Sequence, residues 1–109
     1  MAKYMLVYLG GDHPTNPEEG KKHFEEYRKW LMSLGDSVVS AANPLKDTHV
    51  IHPDGKTEAG STTAMSGFSI LEADNIEEAV KMSQSCPFQK IGGTLEVSEL
   101  VQMNMETSH

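Results

Sequence analysis

Residues 16–35 read NPEEGKKHFEEYRKWLMSLG, and they form the one long stretch whose beginning, spacing and end predict the same element, a helix. Asn16 can cap the helix and Pro17 suits its first position. Glu19 lies where a capping box places an acid, and Gly35 can end the helix in the left-handed conformation. The boundaries of this first helix are therefore well signalled.

One face of this helix is predicted to be apolar and the remainder charged. The apolar side chains that recur at helical spacing are Phe24, Tyr27, Leu31 and Leu34. A stripe of this kind packs against another surface. The rest of the chain suggests that this surface is a β-sheet.

Four stretches read as strands of that sheet, because they are rich in β-branched, aromatic or alternating apolar residues. They are residues 3–9, 37–43, 62–73 and 94–100. The first is apolar throughout from Tyr4 onward and is predicted to be central. A further hairpin is predicted at the periphery, with strands at 48–52 and 56–60 joined by the turn sequence Pro53-Asp54-Gly55.

A second helix is predicted between the last two strands. Asp74 can cap it, with Glu77 completing a capping box. Pro87 forces its end near Ser85. Its expected inner face consists of Ile76, Ala79 and Val80.

The resulting order, β-α-β-(hairpin)-β-α-β, predicts an α+β protein in which two helices cover one face of an antiparallel sheet, the ferredoxin-like β-α-β-β-α-β arrangement. The opposite face would carry half of the first strand together with Leu71. Soluble proteins seldom expose such an apolar surface. We therefore expect a homodimer in which two sheets face each other as a dimeric α/β barrel, in preference to a monomer with an exposed apolar face.

Length and composition limit the function classes. The chain has 109 residues and a formal net charge of −7, which argues against nucleic-acid and anionic-membrane partners. We expect one domain over residues 1–101, with a frayed tail at 102–109. The apolar run at residues 4–9 is too short for a signal-peptide core or a membrane span, and Cys86 is the single cysteine, so a cytoplasmic protein is expected.

Several stretches, taken in order, resemble the YCII-related proteins, and among them the subgroup named after a DGPF motif. They are KYMLVYLG at 3–10, Trp30 and Gly35, Pro44-Leu45, GFSILEAD at 67–74 followed by IEEAV at 76–80, Ser85-Cys86-Pro87-Phe88, and GGTLEV at 92–97. The resemblance implies a ferredoxin-like dimeric α/β barrel. It also implies an architecture shared with small isomerases, dehydrochlorinases and monooxygenases that act on aromatic or lactone substrates.

The chain departs from that family pattern in two places. Residues 60–65 stand where the DGPF motif would be, so the motif is missing and its loop is shortened. In a better characterised branch, a helix histidine and an aspartate before a proline are thought to form the site. His23 matches that histidine, whereas Cys86 stands in place of the aspartate, so the dyad cannot operate in that form.

His23 is the first catalytic candidate, because imidazole exchanges protons near neutral pH. Glu96 is a weaker acid or base candidate, and with Ser98 it should face the inside of the dimer or its mouth. The candidate ligand-binding residues are Tyr27, Arg28, Trp30, Ser69 and Ser98. The alternatives stay open: His23 as a surface or rim residue, the two helix aromatics as core, Arg28 as a solvated side chain, and Glu96 as a hydrogen-bonded edge group.

Two other features suggest chemistry only superficially. Cys86 follows a helix C-terminus, where the helix dipole disfavours a thiolate, so we interpret it as structural. His49 and His52 are three apart on a strand and point to opposite faces, which argues against one shared metal ion. No phosphate loop, dinucleotide fingerprint or nucleophile elbow is present, and neither a metal nor a cofactor is predicted.

The sequence therefore predicts a homodimer that binds a small, mostly apolar organic molecule in a cleft between the first helix and the sheet. If it is an enzyme, we expect cofactor-free isomerase- or lyase-like proton transfer, with His23 as acid or base and Glu96 as its partner. The alternative is a non-catalytic ligand-binding or regulatory homodimer.

Overall fold

The structure is a computed structural model that describes residues 2–11 and 16–102. The strands are β1 Ala2–Gly10, β2 Val38–Pro44, β3 His49–Ile51, β4 Thr57–Ala59, β5 Met65–Ala73 and β6 Gly93–Glu99. The helices are α1 Pro17–Leu34 and α2 Ile76–Gln84, with short 3₁₀ turns at Gly35–Ser37 and Pro87–Ile91.

The main sheet has the strand order β2-β5-β1-β6, and every neighbouring pair in it is antiparallel. Strand β1 lies between β5 and β6, so the prediction of a central first strand is confirmed. This order, with one helix in each β-α-β crossover, is the ferredoxin-like arrangement. The antiparallel α+β class and the two helices expected from the sequence are thus present.

Helix α1 begins and ends where its sequence signals place it. The Asn16 side chain accepts a hydrogen bond from the Glu19 backbone N–H at 2.8 Å, and Pro17 occupies the first position. Gly35 follows the last helical residue with φ of 56°, a conformation that favours glycine. Local sequence alone was sufficient for this element.

The core lies between the helices and one face of the sheet. Tyr4, Leu6 and Tyr8 of β1 point into it. Leu71, which we expected on the opposite face, is wholly buried on this side, and that expectation was wrong. Leu71 is the cross-strand partner of Tyr4, and directly paired residues share a face. Phe68 therefore lies on the opposite face.

The boundaries of α2 are close to those predicted, but its cap and inner face differ. Asn75, not Asp74, is the cap, since its side chain accepts from the Glu78 N–H at 2.9 Å. Ala79 and Ser83 are the buried pair, one helical turn apart. The remaining two residues of the expected inner face, Ile76 and Val80, are 39% and 40% exposed. The small Ala79 side chain lets the helix approach the sheet, and the Ile76–Val80 row is thereby turned away.

Strands β3 and β4 form a separate two-stranded sheet, as the predicted peripheral hairpin requires. Of their six residues only Val50 is not exposed. The Cα radius of gyration is 16.1 Å, whereas a compact domain of this length has about 13 Å. The molecule is also thin, with extents of 53 × 38 × 18 Å. One sheet with a single layer of helices has this shape.

The second face of the main sheet carries no helix from the described residues. Met5 and Val7 of β1 pair with Ile70 and Phe68 of β5 at its centre, and all four are half-buried. Pairing of this face with a second copy stays a prediction. In the portion of the chain that the structure describes, no helix combines the length and the apolar character needed to cross a membrane.

Candidate functional site

A cavity of about 370 Å³ lies between α1 and the sheet, where the sequence predicted a cleft. Five of its lining residues come from α1: His23, Phe24, Tyr27, Arg28 and Leu31. The others come from β1, β2, β5 and the turn that follows α2. Its volume is within the range typical of small-molecule sites, and most of its lining is apolar.

Helix α1 places these residues in two rows, each with the four-residue spacing of one helical face. His23, Tyr27 and Leu31 form the inner row and are half-buried. Phe24 and Arg28 form the outer row at the mouth. Phe24 is 55% exposed, so its predicted place among the residues packed on the sheet was wrong. Helix α1 is rotated about its own axis relative to the prediction, because the large Trp30 ring is the one that enters the core.

Three hydroxyl groups meet at the base of the cavity. The Tyr8 hydroxyl lies 2.7 Å from that of Tyr27 and 2.6 Å from that of Ser69. The Ser69 hydroxyl also donates to the backbone carbonyl of Ala41. Both tyrosines line the cavity, whereas Ser69 lies behind them and is wholly buried. Burial is the main reason that the pKa of Tyr8 is raised far above its ordinary value, so this phenol stays protonated.

Phe88 closes one side of the cavity and packs edge-on to Tyr8, with ring centroids 5.3 Å apart. Its ring lies against the backbone at Gly93, where a Cβ atom would approach it to 2.1 Å. A Cβ atom on Gly11 would approach the same ring to 2.9 Å. Two glycines thus make the space that this ring occupies.

His23 lines the cavity, but Glu96 does not. Glu96 is paired with Val7 and Ser98 with Met5, on the sheet face that points away from the helices. Both residues are exposed in the single chain. The sheet therefore separates His23 from Glu96 within one subunit, and the two candidate catalytic residues are not brought together there.

Trp30 is a core residue and is not part of the cavity lining. It is 6% exposed, and its indole N–H donates to the Met82 carbonyl at 3.1 Å and to the Ser85 hydroxyl at 2.9 Å. It thereby connects α1 to the end of α2. Of the two helix aromatics, Tyr27 lines the site and Trp30 holds the helices together.

Arg28 lies at the mouth of the cavity with its side chain 59% exposed. Its guanidinium is 3.5 Å from the Glu25 carboxylate one turn earlier in α1. An exposed pair of this kind contributes little to stability. Arg28 can therefore leave Glu25 and reach an anionic group at the mouth at small cost.

Cys86 is buried, with 3% exposure, beside the core residues under the cavity. Burial raises the pKa of its thiol to about 11. The group is therefore a neutral thiol near pH 7, which agrees with a structural interpretation. It lies between the end of α2 and the Pro87–Ile91 turn.

His52 faces Glu58 across the hairpin, with Nε2 and the carboxylate oxygen 3.6 Å apart. Among residues 2–11 and 16–102, no cluster of three or more His, Cys, Asp or Glu side chains has metal-ligand geometry. His13 and His109 lie outside the described residues.

Sequence reasoning missed two important wall residues, Tyr8 and Phe88. Tyr8 was included only in the apolar run of the first strand. A buried tyrosine needs a partner for its hydroxyl, and Ser69 supplies one from the adjacent strand. A tyrosine on a central strand together with a serine in a neighbouring buried strand was the available signal.

Comparisons with known proteins give a likeness in structure alone. No protein-family model matches the chain, and no curated protein matches it. A solved structure that it resembles is 5-chloro-2-hydroxyhydroquinone dehydrochlorinase (TftG) from Burkholderia phenoliruptrix AC1100, in complex with 2,5-dihydroxybenzoquinone. The TM-score is 0.55 and the identity 18%, covering 92% of this chain and 95% of TftG. The likeness is one of fold. A ferredoxin-like arrangement of this length thus occurs in an enzyme that acts on a small molecule.

Proposed function

We propose that this protein binds a small, mostly apolar organic molecule in the cavity between α1 and the sheet, and that it carries out cofactor-free proton transfer of an isomerase or lyase type. His23 is the acid or base in this proposal. Membership of the YCII-related family, for which the sequence resemblance is the support, is part of the same proposal.

The observation that carries the proposal is the composition of the cavity wall. His23 stands in an otherwise largely apolar lining, on the inner row of α1. An imidazole in such a place can exchange a proton with a ligand while the apolar wall limits the access of water. The fold shared with TftG supports a small-molecule site in general terms, because that protein was solved with a small quinone bound.

Deuterium exchange tests the proposal with a panel of compounds, so the natural substrate need not be identified first. Small lactones, cyclic ketones and phenols are incubated with the protein in D₂O, and incorporation of deuterium into carbon-bound positions is followed by NMR. We expect incorporation into at least one compound, and a loss of about 100-fold or more in the His23→Gln variant. His52→Gln, in the hairpin, is the control and should exchange like the wild type.

A structural measurement accompanies the exchange experiment. His23→Ala should change the free energy of unfolding by less than about 1 kcal/mol, because a half-buried polar residue at a cavity wall supports little packing. A large loss of stability would make His23 a packing residue and would remove the basis for the catalytic assignment. Urea unfolding of both proteins measures the difference.

A non-catalytic ligand-binding or regulatory dimer is the second candidate, and one observation favours it. Of the described cavity-lining residues none is an aspartate or glutamate, and Glu96 lies on the other sheet face. His23 thus has no carboxylate partner in the wall. Binding of aromatic fragments without deuterium exchange in any of them would support this second function.

We further propose that two copies pair through the helix-free face of the sheet. Met5, Val7, Phe68 and Ile70 form an apolar centre there, in a molecule only 18 Å thick. Glu96 and Ser98 lie on the same face toward its β6 edge. A second copy would present the same apolar centre, and burial of apolar surface favours the association.

Light scattering after size exclusion tests the pairing. The wild type should have about twice the 12.0 kDa mass of the chain at micromolar concentration. Val7→Lys places a charge at the centre of the face and should give a folded monomer, while Ser61→Lys on an exposed loop should stay dimeric. A wild-type protein of monomer mass would rule out the barrel.

A further inference from the structure

The three hydroxyl groups at the base of the cavity have a defined proton direction. A backbone carbonyl can only accept, and the Ser69 hydroxyl donates its single proton to the carbonyl of Ala41. Ala41 lies in the irregular stretch of β2 between Ser40 and Asn43, where the ladder with β5 shifts register. Since Ser69 is wholly buried, no solvent molecule competes for this proton.

The direction of the other two bonds follows from this first one. The contact of 2.6 Å between Ser69 and Tyr8 needs a proton, and Ser69 has none left, so Tyr8 donates to Ser69. The contact of 2.7 Å between the Tyr8 and Tyr27 hydroxyls then needs the proton of Tyr27, so Tyr27 donates to Tyr8. The Tyr27 hydroxyl also lies 3.3 Å from that of Ser69, but if it donated there, one of the two shorter contacts would be left without a proton. All three protons are then engaged within this set of hydrogen bonds. These three residues form a hydrogen-bond relay, meaning the chain of donors Tyr27, Tyr8 and Ser69 in that order, which ends at the Ala41 carbonyl.

The relay leaves the Tyr27 oxygen with unused lone pairs and no available proton. We propose that Tyr27 acts as a hydrogen-bond acceptor in the cavity, and that the site therefore selects apolar ring compounds that carry a hydrogen-bond donor, an O–H or N–H group. A ligand acceptor group placed against the Tyr27 oxygen would face only the lone pairs of that oxygen. It would lose its hydrogen bonds to water and gain none in return. This inference rests on the proposed ligand-binding function and adds the polarity of the ligand.

Ser69 has a positioning role in this scheme. It lies behind the two tyrosines and outside the cavity lining. By accepting the hydrogen bond from the Tyr8 hydroxyl, Ser69 leaves the Tyr8 oxygen as the acceptor for Tyr27. Without Ser69, Tyr8 can donate to Tyr27, and the Tyr27 proton becomes free to turn toward the cavity.

Indole and benzofuran are a matched probe pair, since they have nearly the same shape. Indole offers only an N–H donor and benzofuran only a ring-oxygen acceptor, while indene offers neither. Binding of each is measured by NMR chemical-shift titration of the wild-type protein. We expect indole to bind about tenfold more tightly than benzofuran, the effect of one hydrogen bond made or lost.

Two serine variants test the relay itself. In Ser69→Ala the ratio of the benzofuran Kd to the indole Kd should fall to about one or below. If Ser69 had a purely structural role, the variant would instead bind both probes more weakly by the same factor. Ser83→Ala is the control. Ser83 is also buried and its hydroxyl also donates to a backbone carbonyl, that of Ala79 at 2.8 Å, but it lies in α2, outside the cavity lining and outside the relay. It should keep the wild-type preference.

The outcomes separate this inference from the function on which it rests. If indole, benzofuran and indene all fail to bind, the ligand-binding proposal fails and the inference falls with it. If the probes bind equally well, or if benzofuran binds more tightly, the relay inference alone is wrong. An indole preference that Ser69→Ala leaves unchanged also overturns it. If Ser69→Ala does not fold, the ratio of the indole and benzofuran affinities of the wild-type protein still tests the inference.

Discussion

Replacement of Trp30 by alanine is expected to lower the free energy of unfolding by about 3–5 kcal/mol. Trp30 is the one buried residue of α1, and its ring packs in the core cluster that includes Leu6, Tyr8 and Leu71. Its removal leaves a large cavity and also leaves the Met82 carbonyl without the indole donor. Urea unfolding monitored by circular dichroism measures the loss. Since a chain of this size has only about 5–15 kcal/mol of stability, the variant should be near the limit of folding.

Trp30→Phe is the matched variant that keeps most of the packing. It removes the N–H that donates to Met82 and Ser85, and a loss of about 1–3 kcal/mol is expected. The difference between the two variants separates packing from hydrogen bonding. If Trp30→Ala were tolerated with a loss below about 1 kcal/mol, α1 would not depend on this contact and the position of the cavity wall would need another explanation.

The second large effect is expected at Gly93, the first residue of β6. Gly93→Ala puts a methyl group 2.1 Å from the Phe88 ring, a distance that no packing can accommodate without movement. The ring must move, and the cavity that it borders is one of the spaces open to it. We expect a loss of about 1–3 kcal/mol of stability and weaker binding of any cavity ligand.

A double-mutant cycle with Phe88→Ala assigns the effect of Gly93→Ala to this one contact. When the ring is absent, the added methyl group meets little, so Gly93→Ala should cost at least about 1 kcal/mol less in the Phe88→Ala background. Urea unfolding of the four proteins gives the coupling. Equal costs in both backgrounds would show that the methyl group disturbs the backbone of β6 and not the Phe88 ring.

The element pattern was predictable because its signals are local. The cap at Asn16, the proline at the start of α1 and Gly35 at its end each act through neighbouring backbone groups. The turn at residues 53–55 likewise defined the hairpin. One error was local, since the cap of α2 is Asn75 and not Asp74. The other errors depend on how elements are rotated against each other: Phe24, Leu71, Ile76 and Val80 were placed on the wrong side or the wrong row.

The site was only half predictable for the same reason. His23, Tyr27 and Arg28 belong to one helix, and helical spacing alone puts them on adjoining rows. Glu96 was a candidate partner for His23 because it is a polar residue on an otherwise apolar strand. The strand register, which pairs Glu96 with Val7, puts it on the far face of the sheet. Register is a property of two strands and is not visible in either one alone.

The sequence by itself determined the order and type of the elements, the ends of α1 and the central place of β1, and it left open whether His23 faces the cleft or solvent. The tertiary structure decided which residues share the cavity, that Trp30 is core, and that the hydroxyl groups of Tyr8, Tyr27 and Ser69 meet in one hydrogen-bonded set. The physical reason is the separation along the sequence over which each interaction acts. Caps, turns and periodicity act over a few residues, whereas the relay joins groups 19 and 61 positions apart, and only the packing of α1 on β1 and β5 brings them within hydrogen-bond distance.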